Sequence, residues 1–203
     1  NNVFKVSTGD FFSQDIKATI PETLKSIFKE RLKLKKEMQT KEKNSLEYKT
    51  LFAHQWSLKN LLNSTIGYFG YPRARWYNFN CANATLTLAR ESIHKVIESA
   101  KLKGFEILYS DTDSCFVKYK KDKKEIEDFV KEINSKLSGI MELSIDGFYK
   151  RGLFVQKKSG EDSAKKKYAL IDEDNKLKIV GFEFVRHDWC KLVRDTQKRV
   201  LEL

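Results

Sequence analysis

Gly104-Phe105-Glu106-Ile107-Leu108-Tyr109-Ser110-Asp111-Thr112-Asp113-Ser114-Cys115-Phe116-Val117-Lys118-Tyr119 is the stretch on which the fold of this chain turns. Two runs rich in β-forming residues flank a Ser- and Asp-rich centre, and such residues favour turns through their own local hydrogen bonds. The pattern predicts a β-hairpin with a polar tip. Asp111 and Asp113 stand there one residue apart, an arrangement that repels unless a cation or hydrogen-bond donors lie between them. Mg2+ takes oxygen ligands, commonly one or two protein carboxylates beside substrate phosphates. An ordinary Asp-rich turn accounts for the same residues, so the hairpin alone leaves both possibilities open.

Upstream, Pro21 opens a Lys/Glu-rich segment reaching about Lys43, in which Leu24, Ile27, Phe28, Leu32 and Leu34 form an approximate helical stripe. A break at Lys43-Asn44-Ser45 precedes a second helical stretch through Asn63, so the pair is expected to form an antiparallel helical hairpin. Arg31 and Lys35 are four apart on the first helix, and Lys59 and Asn63 four apart on the second, so each pair shares a face. Converging faces would offer guanidinium, ammonium and amide donors to one polyphosphate; a solvated coiled-coil arm would carry the same charges. Gly67 and Gly70 are expected at the helix exit. Tyr68, Phe69, Tyr71, Trp76 and Tyr77, interleaved with Arg73 and Arg75, suit a nucleic-acid platform and a packed interface equally well. Ala82 through Lys103 reads as a helix ending before Gly104.

Downstream, a polar connector at 120–124 leads to an amphipathic helix from Glu125 to Leu137. Short strands are expected over Met141–Ile145, Gly152–Gln156, Tyr168–Asp172 and Lys178–Glu183, with a loop at 159–163 and a last helix starting from Asp188 as N-cap. Lys157, Lys158, Lys165, Lys166 and Lys167 cluster around that loop, as a nucleic-acid backbone would require and as a solvated lysine loop would also show.

The 203 residues carry 39 Lys and Arg against 28 Asp and Glu, a formal charge of +11 that favours a polyanionic partner. No apolar run reaches a membrane span, and the first residues lack a signal peptide's apolar region, so the expectation is a cytoplasmic protein with no membrane partner. Cys81, Cys115 and Cys190, and His54, His94 and His187, are scattered without metal-ligand or disulfide spacing. No chemistry is assigned to them.

Tyr-Ser-Asp-Thr-Asp-Ser at 109–114 resembles the palm motif of family B DNA polymerases, and three further matches follow the family's order. They are Lys59-Asn60-Leu61-Leu62-Asn63-Ser64-Thr65-Ile66-Gly67 running on to Tyr77, Lys165-Lys166-Lys167-Tyr168-Ala169, and Gly181-Phe182-Glu183-Phe184-Val185-Arg186-His187-Asp188-Trp189. The likeness covers nearly the whole chain and is greatest to the archaeal branch, which would make the protein nucleoid-associated.

The resemblance implies an α+β fold: an antiparallel palm sheet with packed helices, a long helical-hairpin fingers insertion and the beginning of a thumb. It divides the chain into a palm lead-in at 1–20, fingers at 21–71, carboxyl-terminal palm at 72–158, and palm-thumb junction with the start of the thumb at 159–203. It implies DNA-directed DNA synthesis, with Asp111 and Asp113 as catalytic metal ligands for two Mg2+ ions. Arg31, Lys35, Lys59 and Asn63 would hold the triphosphate of a deoxynucleoside triphosphate. Ile66 and Gly67 would lie beside the nascent base pair, and Lys166, Lys167, Tyr168 and Arg186 would contact primer-template DNA. Two departures stand out. Ile66 replaces the family's usual Tyr, losing the phenol donor and the aromatic face. The family's other metal-binding Asp, followed by a Ser-Leu-Tyr-Pro-like run, has only a superficial echo in Asp10-Phe11-Phe12-Ser13. The chain is therefore expected to be one polypeptide of a split enzyme or an excised piece, inactive alone and needing a complementary polymerase polypeptide that carries the remaining palm and the exonuclease. The alternative is a non-catalytic DNA-binding or assembly subunit that retains the fold.

Overall fold

The computed structural model describes residues 2–119, 122–137, 139–156 and 163–202. Its architecture is α+β, with every strand pair antiparallel. The chain forms two compact units that divide between Glu91 and Ser92. Among the described residues no helix is long and apolar enough to cross a membrane.

In the first unit, β1 (Val3–Lys5) pairs with β2 (Phe11–Ser13), a hairpin in what the sequence pattern suggests is a plain lead-in. Strands of three residues are too short to display alternation. Helices α1 (Thr19–Gln39) and α2 (Leu46–Gly70) form the expected helical hairpin. Pro21 falls in the first turn of α1, where its missing N–H is no loss. Lys41 reaches Glu47 across the connection at 2.7 Å, and the Ser45 hydroxyl caps α2 by accepting the Tyr48 N–H at 3.1 Å. Helix α2 runs through Asn63 and on to Gly70. The Ser64 and Thr65 hydroxyls bond back to the Leu61 carbonyl, so these weak helix formers stay helical, and of the two glycines only Gly70 marks the exit.

Helix α3 (Phe79–Leu102) runs through the boundary between the units. It ends in a double hydrogen-bonded stop: Gly104, at φ +83°, donates its N–H to the Lys101 carbonyl at 2.9 Å, and Phe105 donates to Ala100 at 3.0 Å. Phe105 and Ala100 both enter the core of the second unit with Val96, Ile126, Phe129 and Ile133. The chain is thereby aimed into β3 (Glu106–Asp111) and β4 (Ser114–Lys118), whose Ile107, Cys115 and Val117 pack on the same core. Helix α4 (Lys123–Lys136) supplies its other wall, capped by Asp122 accepting the Lys124 N–H at 2.8 Å.

A second sheet, in the order β5 (Tyr149–Gln156), β6 (Ser163–Asp172) and β7 (Leu177–Val180), is followed by a 3-10 turn over Glu183–Val185 and helix α5 (Lys191–Leu201). Lys157, Lys158 and most of the loop expected at 159–163 lie outside the described residues. Three expectations differ from the structure. Met141–Ile145 is not a strand: Asn134 of α4 does the work of a neighbouring strand, donating to the Leu143 carbonyl at 2.9 Å and accepting the Leu143 N–H at 2.7 Å. Asp188 does not cap the last helix, because its carboxylate is held by Arg186 at 2.9 and 2.5 Å, and α5 starts after Cys190. The strand expected at Lys178–Glu183 ends at Val180, since Gly181 turns the chain at φ +69°.

The two sheets meet through Tyr109, Phe116, Phe154 and Tyr168, one ring from each of β3 to β6, with all six pairs of ring centroids 5.1–5.9 Å apart. Phe154→Ala should cost about 3 kcal/mol in a urea titration, the range for removing a packed aromatic ring. The junction to α5 rests on Glu183, which accepts from Lys167 Nζ at 2.5 Å and from the Gln197 amide; these bonds hold its carboxyl down to about 2. Because the folded pKa is lowered, the stabilisation is complete above the usual Glu value of 4.5 and is lost as pH falls towards 2. The Glu183 carboxyl carbon should titrate near 2 by NMR, and Glu183→Gln should remove that part of the acid lability.

Candidate functional site

The aim of the carboxylates is set by one irregularity. Ile107 pairs with Val117 but Tyr109 pairs with Phe116, so Leu108 is an extra residue in β3 and the facing of the strand reverses there. Ile107 and Val117 point into the helix-covered core; Tyr109, Phe116 and, at the next pair of that face, Asp111 and Ser114 point towards β5 and β6. Without the bulge Asp111 would face the apolar core.

The tip is a tight reversal. Asp113 donates its N–H to the Asp111 carbonyl at 2.7 Å across Thr112, which takes φ +55°, the pattern of a γ-turn centred on a left-handed residue. Three hydroxyls secure it. Ser114 donates to the Asp111 carbonyl at 3.2 Å, Ser110 to the Ser114 carbonyl at 3.0 Å, and Thr112 to Asp111 Oδ1 at 3.0 Å. Asp113 is exposed and Asp111 half-buried. Both line a cleft of about 390 Å3 together with Thr112, Ser114, Lys166, Tyr168 and Val180. Lys166 and Tyr168, distant in sequence, are thus brought beside the carboxylates.

Their neighbours behave differently. The Lys167 ammonium is taken by Glu183 and lies 5.3 Å from the Phe182 ring centre, so it braces the sheet. Tyr168 belongs to the four-ring cluster, and burial pushes its phenol pKa up. Arg186 lies in its exposed fork with Asp188. Lys165 is exposed.

On the helical hairpin, His54 Nε2 lies 3.6 Å from Glu30, which puts that turn of α2 level with Arg31 on α1. Lys59 and Asn63 then lie roughly 8 and 14 Å further along α2 at 1.5 Å per residue, so the two pairs stand at different levels and do not face each other directly. Arg31 is half-buried with its Nε out of solvent and unpaired; Lys35 and Asn63 are exposed. Lys59 Nζ sits 5.0 Å from the Trp56 ring centre, and Phe52 stacks on Trp56 at 6.1 Å. Ile66 is half-buried. Gly67 is exposed, and a Cβ there would meet nothing within 4 Å. Tyr71, Trp76 and Tyr77 are exposed, with Trp76 against Tyr68 edge-on and under Arg75 at 5.9 Å.

Tyr109 and Gly181 carry more than their place in the sequence motifs suggests. Tyr109 is 5% exposed, and its hydroxyl accepts the Lys166 N–H at 2.7 Å. Alternation along β3 would have marked it as a core ring, and nothing in the sequence signals the partner. Among the described residues no group of three or more His, Cys, Asp or Glu side chains could hold a metal ion. The pair at the tip nonetheless suits a hard cation: two carboxylates lining one open cleft, in the number Mg2+ commonly takes from protein.

The sequence model for DNA polymerase family B matches residues 3–203. DNA polymerase 1 of Pyrococcus abyssi (strain GE5 / Orsay) is 41% identical over 199 residues, which is 96% of this chain and 25% of that protein. The DNA polymerase of Thermococcus kodakarensis is 45% identical over 146 residues, 69% of this chain and 8% of its own length. Among solved structures, the family B DNA polymerase from the hyperthermophilic archaeon Pyrobaculum calidifontis superposes with a TM-score of 0.71 at 33% identity, over 98% of this chain and 24% of that one. The chain spans about a quarter of the length of the first of these relatives. With the match running from the first hairpin to the last helix, this chain belongs to DNA polymerase family B.

Proposed function

We propose that this chain is the fingers and carboxyl-terminal palm of a DNA-directed DNA polymerase that extends a primer 3′-hydroxyl with deoxynucleotides. In this assignment 1–20 and 72–158 are palm, 21–71 fingers, and 159–203 the palm-thumb junction and the start of the thumb. The observation that carries it is the pair of half-buried Asp111 and exposed Asp113 on a tightly bonded tip, sharing a cleft with Lys166 and Tyr168. Asp113 and Asp111 would hold divalent ions, Mg2+ in the first instance, which when bound neutralise phosphate charge and favour the ionised primer hydroxyl. The chain's own part is to fix these carboxylates through the Ser110, Thr112 and Ser114 hydroxyls, and to set Lys166 where a duplex backbone would pass.

Arg31, Lys35, Lys59 and Asn63 are assigned to the incoming triphosphate, which would have to bridge the offset in level between the two pairs. The unpaired Arg31 Nε supports this, since a buried guanidinium nitrogen without a partner is costly unless a ligand or a rearrangement satisfies it. Gly67 supports the base-pair role: on an exposed helical face with room for a Cβ, alanine would be about 1 kcal/mol better, so the demand for glycine comes from outside the chain's own packing. Lys167 is better assigned to bracing than to DNA, and Arg186 would have to leave Asp188 to touch a phosphate.

Two carboxylates are too few for a two-metal cage, so the remaining palm Asp would come from another chain or chain segment. An open groove of about 970 Å3 with mixed polar and apolar lining runs beside β4, α4 and residues 142–152 and reaches Asp113. A non-catalytic DNA-binding subunit is the second reading, favoured by Ile66 and by that short carboxylate count.

Primer extension tests the assignment. The purified chain alone should be inactive, addition of the complementary chain should restore magnesium-dependent extension, and Asp113→Asn should abolish it while leaving DNA affinity within about twofold. Near-normal extension by the assembled Asp113→Asn variant would overturn the metal assignment. Lys59→Ala should raise the KM for nucleotide about tenfold with little effect on duplex affinity, whereas Lys166→Ala should weaken duplex binding and lower its salt slope by about one. Equal losses of duplex affinity in both would remove the distinction between the two sites.

A further inference from the structure

We propose that the Tyr109 hydroxyl is a positioning group that sets Lys166 for contact with the primer-template duplex, tying that contact to the strand that carries Asp111. The inference rests on Lys166 being a duplex contact. Between the pairs Phe154 with Tyr168 and Gln156 with Ser163, β6 holds more residues than β5, so residues 164–167 leave the regular ladder. Lys166 is at the centre of this excursion with φ +58°, a conformation that a lysine does not adopt without support. Two features provide it. The phenol oxygen of Tyr109 accepts the Lys166 N–H at 2.7 Å, replacing the strand partner that the excursion removes. On the other side, Gly181 at φ +69° leaves room for the Lys166 carbonyl: a Cβ on Gly181 would lie 1.7 Å from that oxygen. The backbone of Lys166 is therefore gripped at both ends while its side chain stays exposed beside Asp111 and Asp113.

The phenol is well suited to this. Its ring is fixed by Phe116, Phe154 and Tyr168, so the oxygen has little freedom to follow a moving loop. Tyr109 lies two residues before Asp111 on the same face of β3, so any displacement of the carboxylate strand is passed to the Lys166 amide through one hydrogen bond. Phenylalanine at 109 would preserve every ring contact and remove only the acceptor.

The test uses the intact chain and a fluorescein-labelled primer-template duplex, with Tyr109→Phe, Lys166→Ala and the double variant compared by anisotropy over a range of salt. The 15N-resolved exchange rate of the Lys166 amide proton is followed in parallel. Tyr109→Phe should speed exchange at that amide at least about tenfold, shift its proton resonance upfield, and weaken duplex affinity about three- to tenfold. The double variant should bind no more weakly than Lys166→Ala alone, which a loss of stability independent of Lys166 would not produce. If Tyr109→Phe leaves duplex affinity at the parent value while Lys166→Ala weakens it, the positioning role is overturned. If Lys166→Ala itself leaves affinity and salt slope unchanged, the duplex-contact reading falls and the inference falls with it.

Discussion

Four aromatic rings, contributed one each by β3, β4, β5 and β6, are the constraint on which the second unit depends. Among the described residues the carboxylate hairpin has no backbone ladder to the three-stranded sheet, so its placement over that sheet is a matter of side-chain packing. Aromatic rings suit such a joint because they bury much area with few rotatable bonds and prefer inclined contacts, which resist sliding. The bulge at Leu108 makes the joint possible: it turns one face of the hairpin to the helices and the other to the rings, letting a short two-stranded element serve two apolar layers.

Much of this was legible in the residues. The hairpin, the helical pair and the amphipathic α4 announce themselves through turn residues, capping residues and periodicity, because local chemistry decides them. The bulge was not legible, since Leu108 is as apolar as a regular strand residue would be. Nor was the fate of Met141–Ile145: its β-forming composition is genuine, but a single amide on α4 takes both backbone groups of its central residue, Leu143. Of the candidate site, the carboxylates and Lys166 stood out by type and motif. What sequence alone could not separate were lysines of identical type, one exposed at 166 and one already committed to Glu183 at 167. The N-cap expected at Asp188 fails for a related reason: a good N-cap residue two positions from an Arg is claimed by the nearer charge.

The charge pattern adds a distinction of its own. Much of the net positive charge sits on exposed lysines of the helical hairpin and of β6, yet individual cations differ in availability. Lys123, Lys136, Lys167 and Lys178 are engaged by carboxylates, whereas Lys166 is held by its backbone and its ammonium makes no ion pair among the described residues. Gripping a residue by its main chain is an economical way to present a charge, because the side chain loses no freedom before its anionic partner arrives.

The helix stop at Gly104 has a consequence for the order in which the molecule is made. It joins α3 directly to the hairpin, and α4 follows after a short connector, so the buried cluster of Val96, Ala100, Phe105, Ile126, Phe129 and Ile133 comes from one unbroken stretch of chain. Contacts so close in sequence cost little loop-closure entropy and form early. The segment bearing Asp111 and Asp113 should accordingly acquire its shape as it leaves the ribosome, before β5 to β7 have been synthesised. A stretch that nucleates around its own carboxylate hairpin gives the tip its shape from neighbouring sequence alone.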